Sequence, residues 1–81
     1  MTHLVTIRLY GAARAAADKN EILVDPNSLN GILDLITIEN PGLARVFAQC
    51  SFLVDGVVLH DRMAQILANS VVDVLPPFAG G

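Results

Sequence analysis

Eighty-one residues make one domain, and a chain of this size buries about 60–65% of its unfolded surface, enough for a single core. The net charge of -3, with five Lys and Arg scattered along the chain and no basic stripe, excludes nucleic acid from the expected partners. One cysteine, Cys50, excludes an internal disulfide framework and a Cys-based zinc site, which fits a reducing, cytoplasmic setting.

Residues 3–10 alternate. Val5, Ile7 and Leu9 fall on one face and Leu4, Thr6 and Arg8 on the other, the pattern of a half-buried strand. The chain enters this strand directly, without a charged and then apolar leader, so no signal peptide is expected. Gly11-Ala12-Ala13-Arg14-Ala15-Ala16-Ala17 has helical propensity, but so short a run reads as a connection with at most one turn of helix. Glu21-Ile22-Leu23-Val24 is a second strand, ended by Pro26, which has no N–H for a ladder. Asn27 or Ser28 caps the helix that follows. Leu29, Ile32, Leu33 and Ile36 form its apolar stripe at i, i+3, i+4, i+7, widened by Leu35. Gly31 costs this helix about 1 kcal/mol relative to Ala and is read as a point of close packing on the sheet. Asn40-Pro41-Gly42 breaks the pattern, and residues 43–47 read as a second short helix.

Ser51-Phe52-Leu53-Val54 is strand-like, Asp55-Gly56 is a strong hairpin signal, and Val57-Val58-Leu59-His60 returns as its partner. Residues 61–70 read as an irregular connection with a helical turn near Met63-Ala64-Gln65-Ile66. Val71 to Leu75 is the last strand. One long helix joining two parallel-running strands gives an α+β fold: a mixed sheet of about five strands on one main helix. Val5, Ile7, Leu9, Phe52, Val54, Val72 and Val74 are the predicted inner face. No apolar run approaches the roughly 18 residues of a membrane span, so no membrane is expected as partner. The hydrophobic fraction of 53% exceeds the ~45–50% typical of soluble domains, which predicts an apolar surface patch of the kind that marks partner sites.

The last strand runs into Pro76-Pro77-Phe78-Ala79-Gly80-Gly81. Residues 1–75 read as the domain and 76–81 as a flexible tail. Two prolines fix φ and hold the exit extended, which lowers the entropy lost on docking. Phe78 is an apolar knob for a partner pocket. Ala79 and Gly80 are narrow enough to thread a tunnel, and Gly81 offers a free carboxylate. The plain alternative is a frayed terminus with accidental glycines.

In the order of its elements, its length, the Asp55-Gly56 hairpin and above all Leu75-Pro76-Pro77-Phe78-Ala79-Gly80-Gly81, the chain resembles the ubiquitin-like β-grasp sulfur carriers (MoaD/ThiS family), most nearly the small subunit of molybdopterin synthase, the MoaD type. The resemblance implies a β-grasp fold and a non-catalytic, sulfur-carrying role. An ATP-dependent activating enzyme (MoeB-type adenylyltransferase) would adenylate Gly81, and a sulfur donor protein would convert it to a thiocarboxylate. That sulfur would pass to a pyranopterin precursor of the molybdenum cofactor on a large subunit (MoaE type), in a heterotetramer. Gly81 would react, while Gly80, Ala79, Phe78, Pro77, Pro76, Leu75 and Leu53 would meet partners. The resemblance implies no cofactor held by this chain. Departures lie before the last strand. Where the family usually carries Gly-Asp this chain has Asn69-Ser70, a common Lys is Leu67, and a usual Pro-Leu is Gln65-Ile66, so that loop is expected to run differently. Carriers for thiazole or cysteine synthesis, and ubiquitin-like modifiers joined to lysines, use the same tail chemistry and stand as alternatives. So does a binding module with an inert tail.

Alternation also predicts the docking face. If Val72 and Val74 point inward, Asp73 and Leu75 point outward, and Leu53 joins Leu75 in an exposed apolar patch. Cys50 reads as a small apolar residue at a strand entrance, with no basic neighbour to activate it. His3 and His60 lack ligand spacing, so no metal is expected. The carboxylates show no paired spacing and read as caps, turns and solvated positions. No Gly-rich phosphate loop is present, so ATP is not expected to bind this chain alone.

Overall fold

The computed structural model describes residues 3–77. Ten elements follow one another: β1 (Val5–Leu9), α1 (Gly11–Ala17), β2 (Glu21–Val24), β3 (Asn27–Ser28), α2 (Leu29–Glu39), α3 (Leu43–Gln49), β4 (Ser51–Val54), β5 (Val57–Val58), β6 (Gln65–Ile66) and β7 (Val71–Leu75). Five strands form one mixed sheet in the order β2-β1-β7-β4-β5. The two central strands, β1 and β7, run parallel, with Ile7 opposite Val72 and Leu9 opposite Val74. β2 is antiparallel to β1 and β4 to β7, so β2 and β4 point the same way, as a helical crossover between them requires.

The alternation predicted from the sequence sets the core. Val5, Ile7, Leu9, Phe52, Val72 and Val74 are buried on the inner face, under Leu29, Ile32, Leu33 and Ile36 of α2. Val54, expected among them, is half-buried at the hairpin end. Phe47 of α3 packs edge-on to Phe52, with ring centroids 6.4 Å apart. Leu35 does not widen the stripe. Three residues on from Ile32 and one short of Ile36, it lies over the shoulder of the helix and is 52% exposed.

Four further details depart from the sequence reading. Residues 11–17 form a two-turn helix rather than a connection. So short a helix is marginal alone, but Ala13 is fully buried and Ala17 packs on the core, so tertiary burial supplies what propensity cannot. Residues 63–66 make no helical turn. Gln65–Ile66 pairs antiparallel with Asn27–Ser28, and Ile66 is buried. The reason lies at the start of α2, whose first N–H groups need acceptors. Leu29 N–H donates to Ala64 C=O, Asn30 N–H to Arg62 C=O, and Gly31 N–H to Ser28 Oγ at 3.0 Å. A turn over residues 61–64, closed by Ala64 N–H to Asp61 C=O, aims the Arg62 and Ala64 carbonyls at that helix end and leads into Gln65–Ile66. Gly31 does not mark contact with the sheet; a Cβ there would stand 2.6 Å from Asn27 Oδ1. The return strand of the hairpin is two residues, Val57–Val58, rather than four.

The hairpin turn itself follows the sequence. Asp55 and Gly56 both have positive φ, 48° and 85°, as a type I′ turn needs. Asp55 adds a second function: its N–H donates to Val71 C=O and its Oδ1 accepts from Val71 N–H, both at 2.8 Å, clamping the turn to the start of β7.

Candidate functional site: the root of the C-terminal tail

The tail leaves from β7, the middle strand of the sheet, which is bonded on one side to β1 and on the other to β4. A segment rooted there starts from the most constrained backbone of the fold. Leu75 is the last residue in register, opposite Ser51. Pro76 is half-buried and Pro77 exposed. Pro76 lies on the junction between β1 and α1, where Gly11 has φ +55°, and a Cβ on Gly11 would come within 3.1 Å of Pro76 Cγ. Gly11 is therefore required twice, for a left-handed backbone and for the room in which the proline ring sits. Of the residues the sequence assigned to the tail, Phe78, Ala79, Gly80 and Gly81 lie outside the described residues.

The outer face of the sheet flanks this root. Leu53, Asp73 and Leu75 share it, as alternation predicts, with Leu53 directly opposite Asp73. The expected patch of exposed leucines is not present, because Leu53 and Leu75 are each half-buried. More exposed apolar side chains on this face are Val58, opposite Leu53 on one edge strand and 51% exposed, and Leu23, opposite Thr6 on the other and 56% exposed.

Asp73 is more than a solvated carboxylate. Tyr10 Oη donates to its Oδ1 at 3.1 Å, and Arg8 Nη1 approaches the same oxygen at 3.9 Å. Arg8 stands opposite Asp73 in the parallel ladder and opposite Glu21 in the antiparallel one, so charges alternate across three strands. This polar cluster beside the root escaped the sequence reading. Its signal was the chance of opposite charges on two outward positions, visible only once the β1–β7 register is known.

The loop before β7 is tied down. Asn69 takes a left-handed backbone, φ 69°, which Asn tolerates better than most side chains. Its N–H donates to Leu4 C=O, and Ser70 C=O accepts from Thr6 N–H, so the loop is stitched to β1. Ser70 is buried and Leu67 is 69% exposed.

Cys50 does have a basic neighbour. Arg62 lies with its guanidinium carbon 4.7 Å from the Phe52 ring centroid and donates from Nη2 to Phe47 C=O at 3.2 Å. Burial nevertheless pushes the Cys50 thiol above its ordinary range, and the opposing pull of Arg62 is the smaller effect. A thiol so placed is poorly nucleophilic at neutral pH, in keeping with a packing role. His3 and His60 are exposed. Among the described residues no group of three or more His, Cys, Asp or Glu side chains gathers as a metal site, and no helix is long and apolar enough to cross a membrane.

No protein-family profile and no curated protein sequence matches the chain. Solved structures do match in three dimensions. Small archaeal modifier protein 1 from Haloferax volcanii superposes with a TM-score of 0.79 at 20% identity, over 96% of this chain and 99% of that one. Molybdopterin-converting factor from Helicobacter pylori, solved as a complex of its subunits 1 and 2, gives 0.72 at 20% identity, over 96% and 99%. Urm1 from Trypanosoma brucei gives 0.75 at 13% identity, over 99% and 97%. The chain thus has the ubiquitin-like β-grasp fold, the one that archaeal modifier proteins and a molybdopterin-converting factor share. At these identities the likeness is one of fold.

Proposed function

We propose that this protein is a sulfur carrier whose reactive group is the C-terminal carboxylate of Gly81. In this reading residues 1–75 are a handle and 76–81 a tail that Pro76 and Pro77 stiffen, Phe78 anchors in a partner, and Ala79 and Gly80 thread to an active site. The carboxylate attacks the α-phosphorus of ATP on an activating enzyme, expelling pyrophosphate. The terminal sulfur of a donor persulfide then displaces AMP to give an acyl disulfide, and a second thiol attacks the donor-side sulfur, so that the S–S bond breaks, a disulfide forms on the donor side and Gly81 leaves as a thiocarboxylate. Leu53, Leu75 and the Asp73 cluster form the face on which partners settle. The observation that carries this reading is a Pro-Pro-Phe-Ala-Gly-Gly sequence rooted on the central strand of a ubiquitin-like β-grasp sheet.

Within that class we favour the small subunit of a molybdopterin synthase, delivering sulfur to a pyranopterin precursor held by a large subunit. The Pro-Pro pair, the length and the fold shared with a molybdopterin-converting factor support it. The fold shared with archaeal modifier proteins supports a second reading, in which activated Gly81 is passed to lysines of other proteins. One experiment separates them. The chain is incubated with an activating enzyme, ATP and a sulfur donor, then with a synthase large subunit and precursor. Exchange of one oxygen for one sulfur in the intact mass, followed by dithiolene formation, is the expected result. Sulfur uptake without dithiolene sinks the molybdopterin branch, and no uptake with an active enzyme sinks the carrier reading. Adducts on lysines of added proteins would favour the modifier.

A further inference from the structure

The sheet has two outer edges, and they differ. On β5 the bond from Leu59 N–H to Phe52 C=O turns the backbone groups of Val57 and Leu59 toward β4, so only Val58 presents its N–H and C=O outward. On β2 the bond from Leu9 N–H to Asn20 C=O fixes the phase. Asn20, Ile22 and Val24 face β1, whereas Glu21 and Leu23 present both N–H and C=O outward. Among the described residues nothing meets these groups. An exposed leucine stands on each side of the same edge. Leu23 lies on the outer face of the sheet and is 56% exposed. Leu35, 52% exposed, shares its flank of α2 with Glu39, four residues on. Glu39 in turn lines a recess of about 200 Å³ with Ile22, Ile36 and Leu43. The edge therefore has two walls, strand and helix, both partly apolar.

We propose that this edge is the docking site of a second copy of the chain, paired antiparallel about a two-fold axis at Ile22 so that the two sheets become one. Register selects this occupant. Outward-facing residues must meet outward-facing residues, because only they can exchange N–H and C=O. Centring the pair on Glu21 sets Glu21 against its own copy, and centring it on Leu23 sets Glu21 against Asp25, like charges in both cases. Centring it on Ile22 sets Glu21 against Leu23 on both sides of the axis. It also brings Lys19, just ahead of the strand, level with Asp25 of the second copy at both ends. The two Ile22 side chains then meet at a non-hydrogen-bonded position, where opposed side chains approach most closely. Glu21 carries no unanswered charge into the joint, since Arg8 of its own chain stands opposite it on β1. Leu23 and Leu35 flank the joint. A two-fold pair closes on itself, so it gives a dimer and not a fibre. The end ion pairs are exposed, which makes the association reversible and salt-sensitive. β2 lies two strands from β7, so the tail root stays open in both copies, and the inference stands apart from the sulfur-carrier reading.

Sedimentation equilibrium of the full chain at low ionic strength, from micromolar to millimolar, tests this. The mass should rise with concentration from 8.6 kDa toward twice that value. Lys19 and Asp25 are both exposed, so changing them spares the core. Lys19→Glu and Asp25→Lys each turn both end pairs into like-charge pairs, and each variant alone should associate about tenfold more weakly. Mixed in equal amounts, the two variants should recover most of the lost affinity, because both end pairs of the mixed dimer again join opposite charges. In hydrogen exchange the Glu21 and Leu23 amides should gain protection as concentration rises, and the Val58 amide should not. A chain that stays monomeric throughout, leaving the edge to a strand of some other protein, overturns the proposal. So does a mixture no more associated than its components, or a dimer whose protection falls on Val58 instead of Glu21 and Leu23.

Discussion

The two faces of the central sheet are built from the same strands and do different work. On the inner face Val5, Ile7, Leu9, Val72 and Val74 are all but sealed from solvent. On the outer face their sequence neighbours Thr6, Arg8, Asp73 and Leu75 are half-buried or exposed, and Arg8, Tyr10 and Asp73 make a polar cluster next to the tail root. β7 belongs to both. Its even-numbered residues hold the fold, and its odd-numbered residues lead toward the tail. Stability and partner recognition should therefore separate by residue parity along a single strand.

The largest effect should come from the inner face. Ile7→Ala leaves a cavity between the sheet and α2 and should lower the unfolding free energy by about 2–5 kcal/mol in denaturant titration. An effect below 1 kcal/mol would mean that the sheet–helix interface is looser than its burial indicates.

Next comes the junction where the two faces meet the tail. Gly11→Ala puts a Cβ on a left-handed backbone and against the Pro76 ring, and should cost about 1–2 kcal/mol in the same assay. It should also shift the Pro76 and Pro77 resonances, which Ile7→Ala should leave in place.

The outer face should behave in the opposite way. Leu53→Thr, which puts a β-branched residue opposite Asp73 and adds no charge, should change stability by about 1 kcal/mol or less, yet weaken binding to a cognate partner at least about tenfold in calorimetry. If both quantities fall together, the outer face is structural and the division by parity fails. The smallest effect concerns Cys50. With its thiol pushed above the ordinary range by burial, less of it is thiolate at neutral pH than in the unfolded chain. Alkylation of the native protein should therefore be slower than that of the denatured protein, and should speed up as the pH is raised.

These differences also explain what could be read from the sequence. The inner face was legible because burial on one side of a strand writes a period of two, and burial of one stripe of α2 writes a period near 3.6. The hairpin was legible because Asp55-Gly56 suits positive φ at both central residues. The helix at residues 11–17 was not, because its stability comes from Ala13 entering a core that distant segments build. Nor was β6, because the carbonyls of Arg62 and Ala64 are held by the free N–H groups of α2 and Gln65–Ile66 by pairing with the distant Asn27–Ser28. At the site, the tail chemistry is written in consecutive residues, whereas its seat on Gly11 joins opposite ends of the chain. The half-burial of Leu53 and Leu75 and the hydrogen bond from Tyr10 to Asp73 likewise depend on strand register, which local sequence does not encode.

The central claim is that the β-grasp body is a handle and the last residue the reactive group. Deleting Gly81 tests it most directly, by comparing thermal melting and sulfur uptake with those of the intact chain. The account predicts an unchanged melting temperature together with complete loss of sulfur uptake by intact mass. A lowered melting temperature, or uptake that survives the deletion, would contradict it.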